Sequence, residues 1–297
     1  MMTQLACPTC FAPIARNGHR VTGKQYYKCA GCGTSTLHPI NTEKADEVTQ
    51  LKLGHGRTIT AKSDFDLYLT SDWHAGSEVC DFRALRSMTE RVEADPNARM
   101  IIGGDQMEMT PPDKHDGGRH SVCYPDQQII RTAEGLQTIK KRIDLIYAGN
   151  HGRARFLRQS QIDPDLLLAY TLSVPYSIVP TVVQYKTPKG TIKICGGHGK
   201  SGAQNYRLEL ERLQAIFPGC NLYHLGHTHD LVAEQQGAMV FDEYAREHWS
   251  PTWMCRTGSF LRYAEYSRFG IMRPKPTGYL VAQIRGGKIK DVVVNKT

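Results

Sequence analysis

The 297-residue sequence lacks several features that would place it in a simple class. No apolar run approaches the roughly 18 residues that a membrane-spanning helix requires. Its first residues, MMTQLACPTC, contain neither the basic nor the apolar segment of a signal peptide. Internal repeats are also absent. These absences favour a globular protein of the reducing cytoplasm without a membrane partner.

A complete phosphate-binding loop is missing as well, although one stretch matches its end. Gly199-Lys200-Ser201 fits the last residues of the pattern G-x-x-x-x-G-K-[ST]. That pattern requires a glycine five residues before Gly199, where the backbone turns with positive φ, and Ile194 occupies this position. The sequence therefore predicts no ATP site here. It predicts instead a strand followed by a loop that carries His198.

Four of the nine cysteines form two C-x-x-C pairs near the start of the chain. Cys7/Cys10 and Cys29/Cys32 are separated by eighteen residues, a spacing typical of a tetrahedral zinc site. We predict that residues 1–40 form a zinc ribbon that depends on one structural Zn²⁺ for folding. A redox pair is the alternative, but it lacks the usual strand–helix context. The remaining cysteines are scattered, and we expect them to be buried: Cys80, Cys123, Cys195, Cys220 and Cys255.

Acidic residues are scarce in the first fifth of the chain. The whole sequence has a formal charge of +8, and residues 1–62 contain eight Lys/Arg against three Asp/Glu, a net charge of +5. Within the predicted ribbon, basic residues alternate with two tyrosines, a pattern typical of contacts with phosphates and bases. We therefore expect nucleic acid, with DNA favoured, as a partner. A ribbon that docks on another protein is the alternative.

The pattern after the ribbon predicts a linker over residues 41–63 and one larger domain over residues 64–297. Short apolar runs in this domain are separated by segments of helical length, as in a layered α/β fold with mixed sheets flanked by helices. Arg285-Gly286-Gly287-Lys288 predicts a hairpin turn near the C-terminus. A helix is expected to begin near Ser201 and to end at Pro218-Gly219.

Five predicted strands are each followed by Asp, His or Asn, usually behind glycine. Because the carboxyl ends of strands in open α/β sheets line one crevice, we expect these side chains to meet there. Imidazole and carboxylate ligands together favour Mn, Fe, Zn or Ni over Ca. The motifs are Asp72-x-His74, Gly104-Asp105, Gly149-Asn150-His151, Gly197-His198 and Gly226-His227-x-His229.

In this order, the five motifs resemble those of the calcineurin-like metallophosphoesterases, and the resemblance covers about residues 64–297. It implies a two-metal phosphoester hydrolase with the layered α/β sandwich of that family. One metal is then held by Asp72, His74 and His229, and the other by Asn150, His198 and His227. Asp105 is expected to bridge both metals, and His151 to face the substrate as a catalytic residue.

Two positions depart from the family pattern. Gly152 follows His151 where an acidic residue is usual, so either Glu108 or Asp81 supplies the missing carboxylate, or His151 acts unassisted. The second motif continues as GDQMEM, without the arginine found in the protein phosphatases of the family. A phosphoprotein substrate is therefore not favoured.

Basic residues near the motifs and the basic ribbon favour a long polyanion as substrate. We expect a DNA nuclease, similar to the DNA-repair exonucleases of the family and in layout to phage-encoded proteins, with Mn²⁺ in the active site. The nucleases of this family often form homodimers, so the resemblance leaves a monomer and a homodimer as alternatives for this chain. A phosphodiesterase or phosphatase for small nucleotides and a non-catalytic binding module are the alternatives. The expected substrate-binding residues are Arg153, Arg155, Lys200 and Arg207.

Overall fold

The computed structural model describes residues 5–6, 14–16, 27–32, 35–36, 40–41, 56–110, 121–200, 205–241, 243–263 and 273–297. By its backbone contacts, the chain divides into two compact units, Met1–Gln50 and Leu51–Thr297.

The smaller unit contains short antiparallel strands. Leu5–Ala6 (β1) pairs with Ile40–Asn41 (β5), and a three-stranded sheet is formed by Ala15–Arg16 (β2), Tyr27–Lys28 (β3) and Ser35–Thr36 (β4). Ile14 and Cys29 are buried together. Cys32 is exposed, whereas Cys7 and Cys10 lie outside the described residues. The zinc site of the ribbon therefore stays a prediction.

The larger unit contains two six-stranded sheets. The first has the order β10-β9-β8-β7-β16-β17, in which β7 to β10 run parallel and β16 runs antiparallel to β7. At the turn between β16 and β17, Gly286 and Gly287 have φ of 61° and 72°, which confirms the predicted hairpin. The strands of this first sheet are Phe65–Thr70 (β7), Arg99–Ile102 (β8), Ile143–Tyr147 (β9), Tyr176–Ser177 (β10), Gly278–Arg285 (β16) and Lys288–Lys296 (β17).

The second sheet has the order β14-β15-β13-β12-β11-β6. Its parallel centre of β12, β13 and β15 is flanked by the antiparallel strands β11 and β14. The strands are Arg57–Thr60 (β6), Thr181–Thr187 (β11), Gly190–Gly197 (β12), Leu222–Leu225 (β13), Leu231–Phe241 (β14) and Glu247–Thr257 (β15).

Helices cover the outer faces of both sheets. They are Phe82–Ala94 (α1), Pro125–Leu136 (α2), Leu157–Ser160 (α3), Pro164–Leu172 (α4) and Tyr206–Ile216 (α5), with a 3₁₀ turn at Lys140–Arg142 and a π-helix at Asn150–Phe156. The side chains of Asp81, Asp163 and Asn205 accept backbone N–H groups at helix starts, and each such cap contributes about 1 kcal/mol. Across the described ranges, no helix is long and apolar enough to cross a membrane.

Three apolar layers connect these elements. Aliphatic residues of both sheets, such as Leu69 and Ile194, meet in the central layer. Met88 of α1 and Leu168 of α4 pack against the first sheet, whereas Leu213 of α5 packs against the second. Full burial of one such side chain contributes about 1.5–3 kcal/mol. The predicted α/β sandwich of mixed sheets flanked by helices is thus confirmed.

Several local features differ from the sequence expectations. Arg57–Thr60, within the predicted linker, forms β6 by pairing with β11, which is distant in sequence. The sequence pattern does not predict this strand, because Ile59 is its one buried residue. The helix expected near Ser201 begins at Tyr206, where Asn205 provides the cap. Of the scattered cysteines, Cys123 is only half-buried, whereas Cys80, Cys195, Cys220 and Cys255 are buried as expected.

Candidate metal centre

The residues that follow five strand ends lie together at one end of the sandwich. Asp72, Asp105 and Asn150 follow β7, β8 and β9 of the first sheet. His198 and His227 follow β12 and β13 of the second sheet. His198 Nε2 lies 3.1 Å from Asp105 Oδ2, so side chains from the two sheets meet directly.

The first group of potential ligands consists of Asp72, His74 and His229. Asp72 Oδ1 lies 3.4 Å from His229 Nε2, and the Nε2 atoms of the two histidines are 3.3 Å apart. Asp72 Oδ1 is buried and has no hydrogen-bond partner. A buried oxygen without a partner is costly, and a cation between these three side chains would satisfy it.

The second group consists of Asp105, His198 and His227, with Asn150 between the two histidines. Asn150 Oδ1 lies 2.9 Å from His198 Nε2 and 2.6 Å from His227 Nδ1. On its other side, His198 Nδ1 lies 2.8 Å from the carbonyl oxygen of Gly103. Such a carbonyl partner is usual for a metal-binding histidine, because it fixes the ring and leaves Nε2 for the metal.

The electrostatics of the two groups also fit a cation. Burial raises the pKa of Asp72, but His198 and His229 outweigh this effect and lower it to about 2. Burial lowers the pKa of His198, yet Asp105 and Asp72 raise it to about 10. Against the opposing effect of burial, the pKa of Asp105 is likewise lowered by His198 and His151, so positive charge on the histidines keeps both buried carboxylates ionised, and a divalent cation would supply that charge in its place. Divalent metal ions match this donor set of carboxylate, amide and imidazole.

The backbone at the site is strained. Asp72, His74, Asp105, His227 and His229 all have φ between 50° and 68°, a left-handed conformation that is uncommon outside glycine. Each such residue costs about 1–3 kcal/mol and persists only where its surroundings enforce it. Clusters of this kind mark functional sites, and every member here is a sequence-predicted ligand.

Two of the preceding glycines are required for close approach. A Cβ on Gly149 would lie 2.0 Å from Asp105 Oδ1, and one on Gly104 would lie 2.6 Å from His198 Nδ1. Gly104 also has a φ of 96°, whereas Gly149 has an ordinary φ and is needed for space alone. The glycines of these motifs therefore let the ligands of one strand end contact those of the next.

His151 lies beside both groups, and Glu108 is the acidic residue near it. The Nδ1 atom of His151 donates to the Glu108 carbonyl oxygen at 2.6 Å and lies 3.5 Å from carboxylate Oε1. The same carboxylate accepts from His74 Nδ1 at 3.0 Å. Asp81, the other candidate, pairs with Arg262 instead. Sequence reasoning left Glu108 open because it contacts His151 only across the fold.

His151 is held as a neutral ring. Its backbone N–H donates to Asp105 Oδ1 at 2.8 Å, and Arg155 Nη1 donates to its Nε2 at 2.8 Å. Burial, together with the neighbouring His74 and Arg155, lowers the pKa of His151 to about 4, despite the opposing charges of Asp105 and Glu108. The ring therefore lies beside the potential ligands in a form that can exchange hydrogen bonds with a substrate.

The four predicted substrate-binding residues occupy different surroundings. Only Arg155 contacts His151. Arg153 forms an ion pair of 2.9 Å with Asp163, and Arg207 forms one with Glu234. Lys200 is exposed, and its backbone N–H donates to Glu209. The roles of these four residues stay predictions.

Comparisons with known proteins give distant structural similarities. No protein-family model matches the chain, and no curated protein matches it. A structure of Vacuolar Protein Sorting 29 from Cryptosporidium parvum is similar, with a TM-score of 0.43 and 16% identity over 80% of this chain and 99% of that one. Wild-type Vps29 complexed with Zn²⁺ from Entamoeba histolytica has a TM-score of 0.40 and 11% identity over 78% and 98%.

A calcineurin-like phosphoesterase, YfkN from Bacillus subtilis, is also similar, with a TM-score of 0.39 and 12% identity over 79% of this chain and 90% of that one. Similarities of this size are too low to transfer an activity to the chain. The chemistry of the site itself is therefore the guide to the function of this chain.

Proposed function

We propose that this protein is a two-metal phosphodiesterase that acts on nucleic acid, most favourably as a DNA nuclease. The observation that carries the proposal is the pair of ligand groups next to His151, linked where the His227 N–H donates to Asp72 Oδ2 at 2.9 Å. Asp105 Oδ2 lies 3.1 Å from His198 Nε2, and Asp105 Oδ1 accepts a hydrogen bond from the backbone N–H of His151. Few arrangements other than a binuclear centre need this set of donors.

The proposed ligands divide between two divalent cations. Asp72, His74 and His229 would hold one of them. The other would be held by Asn150, His198 and His227, with Asp105 shared between both. Mn²⁺ is our first choice, and Fe, Zn or Ni fit the same donors. When bound, the two ions would supply a nucleophile from water at neutral pH and offset charge on the phosphate oxygens.

The protein's own residues then orient and assist the reaction. Glu108 fixes His74 through Nδ1 and holds His151 through its carbonyl oxygen, so both rings keep one orientation. The Nε2 edge of His151, which Arg155 contacts in this structure, is the part of the ring that would face the leaving oxygen of the substrate. This assignment makes His151 the catalytic side chain and Glu108 a positioning residue.

A nucleic-acid substrate is supported by the charge distribution. The first 62 residues carry a net charge of +5, and Lys28 of β3 is exposed. Cys7, Cys10, Cys29 and Cys32 would hold one structural Zn²⁺ in this unit. Neutralisation of DNA phosphates by such a unit would make binding strongly dependent on salt.

A phosphodiesterase for small nucleotides is the second candidate. It is favoured by the ion pairs of Arg153 with Asp163 and of Arg207 with Glu234, which reduce the positive charge available near the site. A small substrate would not require the basic unit at the start of the chain.

One experiment tests the proposal and separates the candidates. The full-length protein is incubated with Mn²⁺ and plasmid DNA, single-stranded DNA, RNA, bis-p-nitrophenyl phosphate or p-nitrophenyl phosphate. We expect cleavage of DNA and of the diester. Hydrolysis of the monoester alone would contradict the proposal.

A charge variant of the full chain tests the ribbon. The triple substitution Arg16→Gln, Lys24→Gln and Lys28→Gln leaves the cysteines unchanged. The slope of log binding constant against log salt should fall by about 0.9 for each DNA phosphate that the variant no longer neutralises. An unchanged DNA affinity and salt slope would favour the small-nucleotide candidate.

A further inference from the structure

The contact between Arg155 and His151 occupies the edge of the catalytic ring that faces outward. Arg155 Nη1 lies 2.8 Å from His151 Nε2. His151 Nδ1 is already used, because it donates to the Glu108 carbonyl oxygen at 2.6 Å. A guanidinium can only donate, so Nε2 accepts from Arg155 while Nδ1 carries the proton of the ring. Both ring nitrogens are therefore engaged before a substrate arrives.

The two residues are four apart in one helical turn, a spacing that places side chains on the same face of a helix. Asn150–Phe156 is wound so that the N–H of Leu157 donates to the carbonyl oxygen of Gly152, five residues earlier. π-helical turns are rare and occur frequently at functional sites. This turn begins at the potential ligand Asn150 and brings Arg155 against His151, while Arg153 points to Asp163.

Arg155 is also available to an anion. The residue is exposed, and in the part of the chain that the structure describes no acidic side chain pairs with it. Its present partner is a neutral ring. A guanidinium binds phosphate oxygens more strongly than a neutral nitrogen, because both partners of the hydrogen bond are then charged. An entering phosphate would therefore remove Arg155 from His151.

The phosphate in question is not the one that is cleaved. A phosphodiester has two non-bridging oxygens, and the proposed function, on which this inference rests, leaves both to the two ligand groups. Arg155 contacts the opposite side of His151 from Glu108. The remaining anionic partner in a polynucleotide is the phosphate next to the scissile one.

We propose that Arg155 is a specificity-determining residue. In the substrate-free protein its guanidinium covers His151 Nε2, and a phosphate adjacent to the scissile diester removes it, so that the catalytic edge of His151 is exposed more fully to polynucleotides than to isolated diesters. The contact thereby favours chains of nucleotides over isolated diesters.

The test uses the full-length protein with Mn²⁺ and three substrates: the dithymidine phosphodiester and its 5′- and 3′-phosphorylated forms. We expect the wild type to prefer at least one phosphorylated form in kcat/KM by about 10-fold or more, the size of one charged hydrogen bond. Arg155→Met should abolish that preference and raise kcat for the unphosphorylated diester, because the Nε2 edge of His151 is then no longer covered. Arg155→Lys should retain part of the preference. Arg158→Met, an exposed arginine of α3, is the matched control and should behave as wild type.

A second readout does not require activity. In the metal-free protein, the ¹⁵N NMR signal of His151 Nε2, assigned with His151→Ala, should shift when the 5′- or 3′-phosphorylated dithymidine is added. It should shift little with the unphosphorylated diester, and in Arg155→Met neither should move it.

The outcomes separate this inference from the proposed function. Equal losses of kcat/KM for all three substrates in Arg155→Met would overturn the inference, because Arg155 would then act on the scissile phosphate. An unchanged preference in that variant would overturn it as well. If no diester is hydrolysed but the Arg155-dependent NMR shift occurs, the proposed function fails while the contact and its anion response stand. Absence of that shift overturns the inference.

Discussion

Glu108→Gln is expected to weaken metal binding at the group of Asp72, His74 and His229. The Glu108 carboxylate is 15% exposed and accepts from His74 Nδ1 at 3.0 Å, so it both orients the ring and increases the basicity of Nε2. An amide retains the shape but loses the charge. Removal of such a partner from a metal-binding histidine typically costs about 10- to 100-fold in affinity, or about 1.4–2.7 kcal/mol.

The affinity is measured by titration of the metal-free protein with Mn²⁺, with calorimetry or the Mn²⁺ EPR signal as readout. His151 should stay in place, because it is held by the carbonyl oxygen of Glu108 rather than by the carboxylate. At saturating Mn²⁺, the variant should therefore regain most of its turnover.

Asp81→Asn is the matched control. Asp81 is the other acidic residue that the sequence offered, but its carboxylate pairs with Arg262 and caps α1. An asparagine preserves the cap, so metal affinity should not change. Weaker Mn²⁺ binding in Asp81→Asn with normal binding in Glu108→Gln would refute the assignment.

Three further predictions concern the site and its support. His151→Ala should retain both metals by elemental analysis and lose most turnover, whereas Asp105→Ala should lose metal as well; an unchanged rate in His151→Ala would remove its catalytic role. Gly149→Ala should displace Asp105 and lower Mn²⁺ binding, since the added Cβ would lie 2.0 Å from Oδ1, whereas Gly135→Ala, whose Cβ meets nothing within 4 Å, should bind normally. Burial raises the pKa of Asp165 well above its usual value, so the contribution of this group to stability is greatest below the unfolded pKa of about 3.9 and is lost as pH rises toward the folded pKa. Asp165→Asn should not show this loss of stability with rising pH. The free energy of unfolding in urea of the variant, minus that of the wild type, should therefore be larger at pH 8 than at pH 5. An equal difference at the two pH values would contradict a buried charge on Asp165.

Most strands of the larger unit could be predicted from local patterns. Apolar runs such as IDLIY and RMII coincide with β9 and β8, because a strand buried on both faces needs a nearly continuous apolar sequence. The long hairpin of β14 and β15 escaped prediction. Most residues of this hairpin are exposed or half-buried, and Gly237 and Pro251 interrupt its sequence. Its two strands therefore show neither the alternation nor the apolar run by which a strand is predicted.

Interactions across the fold account for what the sequence left open at the site. Glu108 reaches His74 and His151 because Ala75 and Met107 form an isolated bridge between two strand-end loops. That bridge is a tertiary contact without a local signature. The contact of Arg155 with His151 matches their spacing of four residues on a helix, whereas no spacing rule predicts the π-helical winding of this segment.

The conformation of the ligands connects the motifs to their chemistry. Asp and His adopt the left-handed conformation more often than most residues other than glycine, and the sequence has them at five such positions. Hydrogen bonds offset part of the strain, as when the His227 N–H donates to Asp72 Oδ2 at 2.9 Å. Asp72 Oδ1 remains without a partner, so the hydrogen bonds alone leave the site incomplete. Binding of a cation would complete it, and metal binding and folding of these loops should therefore be thermodynamically linked.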